Sequence, residues 1–293
     1  MGSNDFYPEE RPARRISVPG FWMDVHPVTN AEFRRFIEAT GYITTCERSP
    51  DPALYPNADP SLLVPGSLVF RKPPNPVDLQ DYRAWWEYVP GADWMHPQGP
   101  ESAIDNIEEH PVVHVTYEDA CAYAAWTGKE LPSEAEWEFA ARGGLDGATY
   151  AWGEVAAPGG RAMANTWQGR FPWENLKLDG YERTSPVGAF PANGYGLYDM
   201  IGNVWEWTAS AYVQLREGRG KSCCAANVPG GQAVRRVVKG GSHLCAPNYC
   251  LRYRPAARQG VTVDTSACHI GFRCVRRIAQ AQDCIGLEHR ATC

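Results

Sequence analysis

Apolar positions recur every three to four residues in three stretches of this chain, each with its own start and stop signals. Thr29-Asn30-Ala31-Glu32 opens the first, with Phe33, Phe36 and Ile37 on one face and Gly41 behind them. Threonine followed three residues later by glutamate is a capping box, so a helix is predicted. Thr116-Tyr117-Glu118-Asp119 opens the second, which carries Ala120, Tyr123, Ala124 and Trp126 and stops at Gly128. Ser133-Glu134-Ala135-Glu136 caps the third, Trp137 to Arg142, closed by Gly143-Gly144. Elsewhere the apolar runs are short and bounded by Gly or Pro. Residues 16–18, 21–25, 112–115, 237–239, 251–253 and 271–275 are predicted strands. Residues 47–110, rich in proline and carrying Trp85, Trp86 and Trp94, predict a long irregular excursion packed down by its aromatics. Residues 279–293 show no element pattern and are expected to form a disordered tail. Short helices, short strands and much irregular chain define an α+β fold with low regular secondary structure, in one domain over residues 1–278.

Composition narrows the function. The chain has 293 residues, enough for one large core, and its 44% hydrophobic and 21% charged fractions are ordinary for a soluble globular protein. A net charge of -6 and basic runs no longer than paired arginines argue against nucleic acid and anionic membranes as partners. No apolar run approaches the roughly 20 residues that span a bilayer. The first fifteen residues are polar and lack a signal-peptide core, which gives a cytoplasmic expectation. Ten cysteines in a chain this long do not form a dense disulfide framework. In a reducing compartment a close pair of them points to metal binding or catalysis.

That pair is Cys245 and Cys250, in the run Lys239-Gly240-Gly241-Ser242-His243-Leu244-Cys245-Ala246-Pro247-Asn248-Tyr249-Cys250-Leu251-Arg252-Tyr253-Arg254. A turn through Pro247 and Asn248 can bring both sulfurs together. Soft thiolates select Cu(I), Zn or iron–sulfur clusters, and two ligands fall short of the four that a structural Zn site wants. Cu(I) accepts low coordination. Arg252, Arg254 and Arg258 nearby would favour thiolate over thiol. The spacing alone leaves a structural disulfide or two unrelated buried cysteines open.

The same run, with Ala256-Ala257-Arg258 and Gly271-Phe272-Arg273-Cys274, resembles the C-terminal signature of formylglycine-generating enzymes, the sulfatase-modifying factor family. Upstream segments match too: Pro27-Val28-Thr29-Asn30-Ala31-Glu32-Phe33, residues 94–100, His110-Pro111-Val112-Val113-His114-Val115, Leu131-Pro132-Ser133-Glu134-Ala135-Glu136-Trp137-Glu138, Asn165-Thr166-Trp167-Gln168-Gly169, and residues 193–207 ending Gly202-Asn203-Val204-Trp205-Glu206-Trp207. The Leu-Pro-Ser-Glu and Gly-Asn-Val-Trp-Glu-Trp segments mark a wider superfamily with a modified C-type-lectin-like fold, which includes sulfoxide synthases and non-catalytic members. The cysteine pair singles out the aerobic, copper-dependent branch, and the overall pattern suggests a bacterial enzyme.

The resemblance implies an activity. Cu(I) sits between Cys245 and Cys250, and an unfolded sulfatase segment with the motif Cys-x-Pro-x-Arg supplies its cysteine as a third ligand. O2 as co-substrate oxidises that cysteine to Cα-formylglycine through a thioaldehyde, with release of sulfide. Ser242 and Tyr249 correspond to residues lining the oxygen pocket, Trp205 to a tryptophan near the copper, and Arg258 to an arginine on the substrate side. Two structural Ca2+ sites carry over: Asn165, Thr166, Asp179 and Tyr181 at the first, Asp199, Gly202, Val204 and Glu206 at the second. Calcium takes hard oxygen ligands, including loop carbonyls. A monomer is expected.

The chain departs from relatives in places. Ala246 stands where some carry histidine, and Ala141 and Pro255 fill the positions of a disulfide found in vertebrate-type members. Cys121 lies about one helical turn from a position that pairs with the Cys274 equivalent, and a reduced pair is expected there. Cys268 and His269 have no assigned role, and Cys223-Cys224 is read as incidental. Two other readings stand beside the oxidase: a calcium-stabilised, lectin-like binding module without catalysis, and a sulfoxide-synthase-like thiol oxidase. The thiol pair argues against the first, and the lack of a His-x3-His-x-Glu pattern for an iron-binding helical domain argues against the second.

Overall fold

The computed structural model describes residues 1–213 and 234–278; the tail at 279–293 and Cys223-Cys224 lie outside the described residues. All three helices form where the pattern puts them. In α1 (Asn30–Thr40) the Thr29 hydroxyl accepts from Glu32 N at 3.2 Å, the Glu32 carboxylate accepts from Thr29 N at 2.9 Å, and Gly41 stops the helix at φ 65°. The same reciprocal cap opens α2 (Tyr117–Trp126) and α3 (Glu134–Arg142). Each cap satisfies backbone donors that the first helical turn leaves without partners. Phe33 and Phe36 of α1 pack on Tyr123 of α2, and Phe33 also meets Trp94 at 5.4 Å and Phe272 at 6.4 Å between ring centroids. This aromatic contact holds the two helices on the main core.

The strands depart further from expectation. β1 (Phe21–Met23) pairs antiparallel with β8 (Val275–Arg277). A four-stranded sheet has the order β6 (Arg258–Thr262), β5 (Arg235–Lys239), β4 (Trp205–Ala211), β7 (Ile270–Gly271), with β4 and β7 parallel and the other pairs antiparallel. The stretch 47–110 is not wholly irregular: it contains an antiparallel hairpin of β2 (Gly66–Phe70) and β3 (Trp86–Pro90). Residues 16–18 form no ladder. Residues 112–115 are buried but not a strand, because His114 turns to φ 60° and the chain's bonds go singly to Val28 and Ala267 carbonyls. Residues 251–253 are loop, and the predicted strand at 271–275 splits, its two ends joining different sheets.

The result is an α+β domain dominated by loops. Its interior is pinned by buried ion pairs as well as apolar contact. Arg273 holds Glu206, Arg254 holds Glu10, and Lys239 holds Glu138, each pair almost wholly removed from water. A second apolar cluster of Trp85, Trp167, Phe171, Leu244 and Ala246 sits beside the main one. It joins the hairpin to the loop that carries the thiols.

Candidate active site

The loop after β5 makes the site. Cys245 N donates to Ser242 O at 2.9 Å, Tyr249 N to Ala246 O at 3.1 Å and Cys250 N to Ala246 O at 2.8 Å. These tight turns fold six residues back on themselves and bring the two sulfurs to 3.4 Å, well beyond the roughly 2.05 Å of a disulfide. Gly241, at φ 73°, lets the loop pass hard against the backbone of Arg252 and Tyr253, where a Cβ would meet Tyr253 atoms at 3.0 Å. Neither cysteine is in a disulfide, and both are buried in the same core cluster as Trp205.

Burial, then the hydrogen bond to Cys250 and its charge, push the Cys245 thiol well above its ordinary range. Arg252 pulls the other way without prevailing. The expectation that three arginines favour thiolate is therefore corrected. Arg252 alone reaches the pair, with Nη1 at 3.8 Å from Cys250 Sγ. Arg254 is committed to Glu10, and Arg258 to Glu134 at 2.7 Å. Arg258 lines a separate cavity of about 430 Å³ with Glu9, Glu134 and Ser210.

Ser242 is buried, and its hydroxyl accepts from Leu244 N at 3.3 Å, closing the start of the thiol loop. Tyr249 stacks on Phe171 at 4.6 Å and meets the Trp85 ring edge-on at 5.5 Å. Trp167 N donates to Cys245 O at 3.0 Å. An aromatic wall of Phe70, Trp85, Trp167, Phe171 and Tyr249 thus adjoins the thiols. The buried indole N–H groups of Trp85 and Trp167 have no acceptor among the described residues, a pattern seen where a buried donor meets water or a bound molecule. In the sequence Trp85 and Trp86 read only as packing residues, and Phe171 falls in no motif. Trp167, Phe171 and Trp173, three aromatics within seven residues, are the available signal in the sequence.

At the first calcium position, Gln168 Nε2 bridges Thr166 O at 2.6 Å and Asp179 Oδ2 at 2.7 Å. An electropositive group therefore already lies between two oxygens of the expected ligand set. Tyr181 N donates to Asp179 Oδ1 at 3.0 Å, while the Asn165 amide turns to Arg183 O at 2.8 Å. At the second position Asp199 and Asn203 both adopt left-handed backbone, and Asp199 is buried. Burial pushes the Asp199 carboxyl up, Glu206 adds to the push, and the Gly188 N–H and Arg273 only partly offset it. The Glu206 carboxylate is occupied by Arg273 at 2.8 Å twice and by Trp137 Nε1 at 2.7 Å. Its side chain is therefore a weaker candidate ligand than Asp199.

The remaining thiols among the described residues are structural in position. Cys121 and Cys274 are free, and burial raises both above the ordinary thiol range. Cys268 Sγ accepts from Phe70 N at 3.2 Å, fastening the hairpin, and His269 packs on Trp86 at 4.8 Å.

Fold and site together define a sulfatase-modifying type of domain. The model of the sulfatase-modifying factor enzyme 1-like domain matches residues 1–278. The chain is 55% identical over 280 residues to the formylglycine-generating enzyme of Mycobacterium tuberculosis, covering 94% of this chain and 93% of that protein. It is 46% identical over 274 residues to the enzyme of the same name from Thermomonospora curvata, covering 92% and 87%. Among solved structures, PvdO from Pseudomonas aeruginosa superimposes with a TM-score of 0.60 at 24% identity, over 95% of this chain and 90% of that one, a likeness of fold alone. The chain belongs to the formylglycine-generating enzyme family.

Proposed function

We propose that this chain oxidises the cysteine of a Cys-x-Pro-x-Arg segment in an unfolded sulfatase to Cα-formylglycine, using O2 and Cu(I) held by Cys245 and Cys250. The observation that carries the reading is the pair of adjacent, buried, unbridged thiols at 3.4 Å in a chain of this family. The donor set fits the metal: two soft sulfurs whose protons a soft cation can displace. When bound, Cu(I) would supply electron transfer to O2.

The side chains account for the rest. Burial of both thiols keeps bulk water from the reacting centre. Arg252 places positive charge beside Cys250, which would offset the negative charge of a metal-bound thiolate pair. Stacking on Phe171 fixes the Tyr249 ring, and the short turn at Ser242 fixes its hydroxyl, so both can orient a small polar molecule near the thiols. The buried aromatic wall holds the thiol loop in shape, with Tyr249 stacked on Phe171 and Trp167 N donating to Cys245 O. A calcium ion in place of the Gln168 amide would tie Thr166 O to Asp179, and one at Asp199 would relieve that buried carboxylate. Reduced Cys121 and Cys274 fit a cytoplasmic setting.

The test is mass spectrometry of a synthetic peptide containing Cys-x-Pro-x-Arg, incubated aerobically with protein, Cu(I) and a reductant. Conversion shows as a loss of about 18 Da at the cysteine, with an aldehyde trapped by hydrazide. The Cys250→Ser protein should convert none. A folded, copper-loaded wild type that leaves the peptide unchanged would remove the oxidase reading.

A further inference from the structure

Residues 6–10 cross the loop that follows the thiols and engage its arginines one by one. The Phe6 ring covers the Arg254 guanidinium at 3.6 Å, and Glu10 takes it with two hydrogen bonds at 2.9 and 2.5 Å. The Tyr7 ring lies against the Arg252 guanidinium at 3.9 Å, and the Tyr7 hydroxyl accepts from Leu251 N at 3.0 Å. Glu9 Oε1 accepts from Arg252 Nη2 at 2.7 Å and Nε at 3.2 Å.

The geometry at Arg252 is selective. A guanidinium presents its donors in a fixed planar fork. Glu9 occupies the Nε and Nη2 edge, and Tyr7 covers one face. With that edge and face held, Nη1 is directed to Cys250 Sγ at 3.8 Å. The sequence separation is more than 240 residues, so only the tertiary fold makes this contact.

We propose that Tyr7 and Glu9 are positioning residues for the thiol pair: they hold the Arg252 guanidinium against Cys250 and so strengthen Cu(I) retention. The inference rests on the copper reading above. Two thiolates and one Cu(I) carry a net negative charge, which a fixed guanidinium stabilises. A guanidinium released from Glu9 can rotate its charge away from the sulfur. The effect is read first in metal retention, because the contact of Arg252 is with Cys250.

A double-mutant cycle on the full chain tests this, read as Cu(I) affinity by anaerobic competition with a chromophoric Cu(I) chelator. Glu9→Gln should weaken retention about tenfold, as should Arg252→Met, and the double variant should be no weaker than Arg252→Met alone. Turnover should fall in Glu9→Gln, and Glu9→Asp should recover part of the affinity. Tyr7→Phe, which keeps the ring over Arg252, should stay near wild type, whereas Tyr7→Leu should follow Glu9→Gln. Unchanged Cu(I) affinity in Glu9→Gln, or penalties that add in the double variant, would overturn the proposal. Wild type that binds no Cu(I), or Cys245→Ser that binds it equally well, would overturn the copper reading itself, a separate and recognisable result.

Discussion

Replacing Arg273 with methionine should destabilise the whole domain, and the structure gives the size of the loss. Arg273 and Glu206 are both essentially excluded from water, and the guanidinium donates twice to the carboxylate at 2.8 Å. The same guanidinium holds the carbonyls of Tyr198 at 2.8 Å, Asp24 at 3.3 Å and Val25 at 3.4 Å. Removing it leaves a buried carboxylate with Trp137 Nε1 as its main remaining donor, and three carbonyls short of one. Breaking a buried pair from one side costs about 3–5 kcal/mol. In a domain of this size that lowers the melting temperature by roughly 10 °C. Removing both charges, in Glu206→Gln with Arg273→Met, should recover part of the loss, because no unpaired charge remains. Calorimetry or denaturant unfolding of the two variants reads both quantities. A loss below about 1 kcal/mol for Arg273→Met, or a double variant less stable than Arg273→Met alone, would refute this account of the pair.

Other outcomes are equally direct. Burial pushes the His114 imidazole down to about 4 from its ordinary 6.5, so its contribution to stability is full above 6.5 and is lost as pH falls toward 4; it amounts to about 3 kcal/mol. His114→Gln should flatten the pH dependence of unfolding in that window, and an unchanged slope would assign it to other groups. Cys250→Ser should abolish peptide conversion while leaving the circular dichroism spectrum and melting temperature close to wild type. Calcium chelation should lower the melting temperature, and Asp179→Ala should blunt the response to added calcium. A melting temperature indifferent to both calcium and chelator would remove the cation from the first position.

Local sequence determined those parts of the protein in which a few neighbouring residues settle the matter. Thr29 with Glu32, Thr116 with Asp119 and Ser133 with Glu136 specify their helix starts because each cap closes over three residues. The Cys245–Cys250 spacing and its turn residues were legible for the same reason, since three local hydrogen bonds bring the sulfurs together. Strand limits were less legible. Residues 112–115 are as apolar as a strand, but His114 sits at positive φ and its neighbours bond to separate segments. The hairpin inside 47–110 was hidden by its prolines, and its pairing spans residues sixteen or more apart in sequence. Only the tertiary structure decided which arginine serves the thiols. Arg252, Arg254 and Arg258 look alike in the sequence, yet Glu9, Glu10 and Glu134 divide them, committing Arg254 and Arg258 elsewhere and leaving Arg252 directed at Cys250. It also raised the Cys245 thiol above its ordinary range, because burial depends on every segment packed around the loop, and that burial outweighs the nearby positive charge.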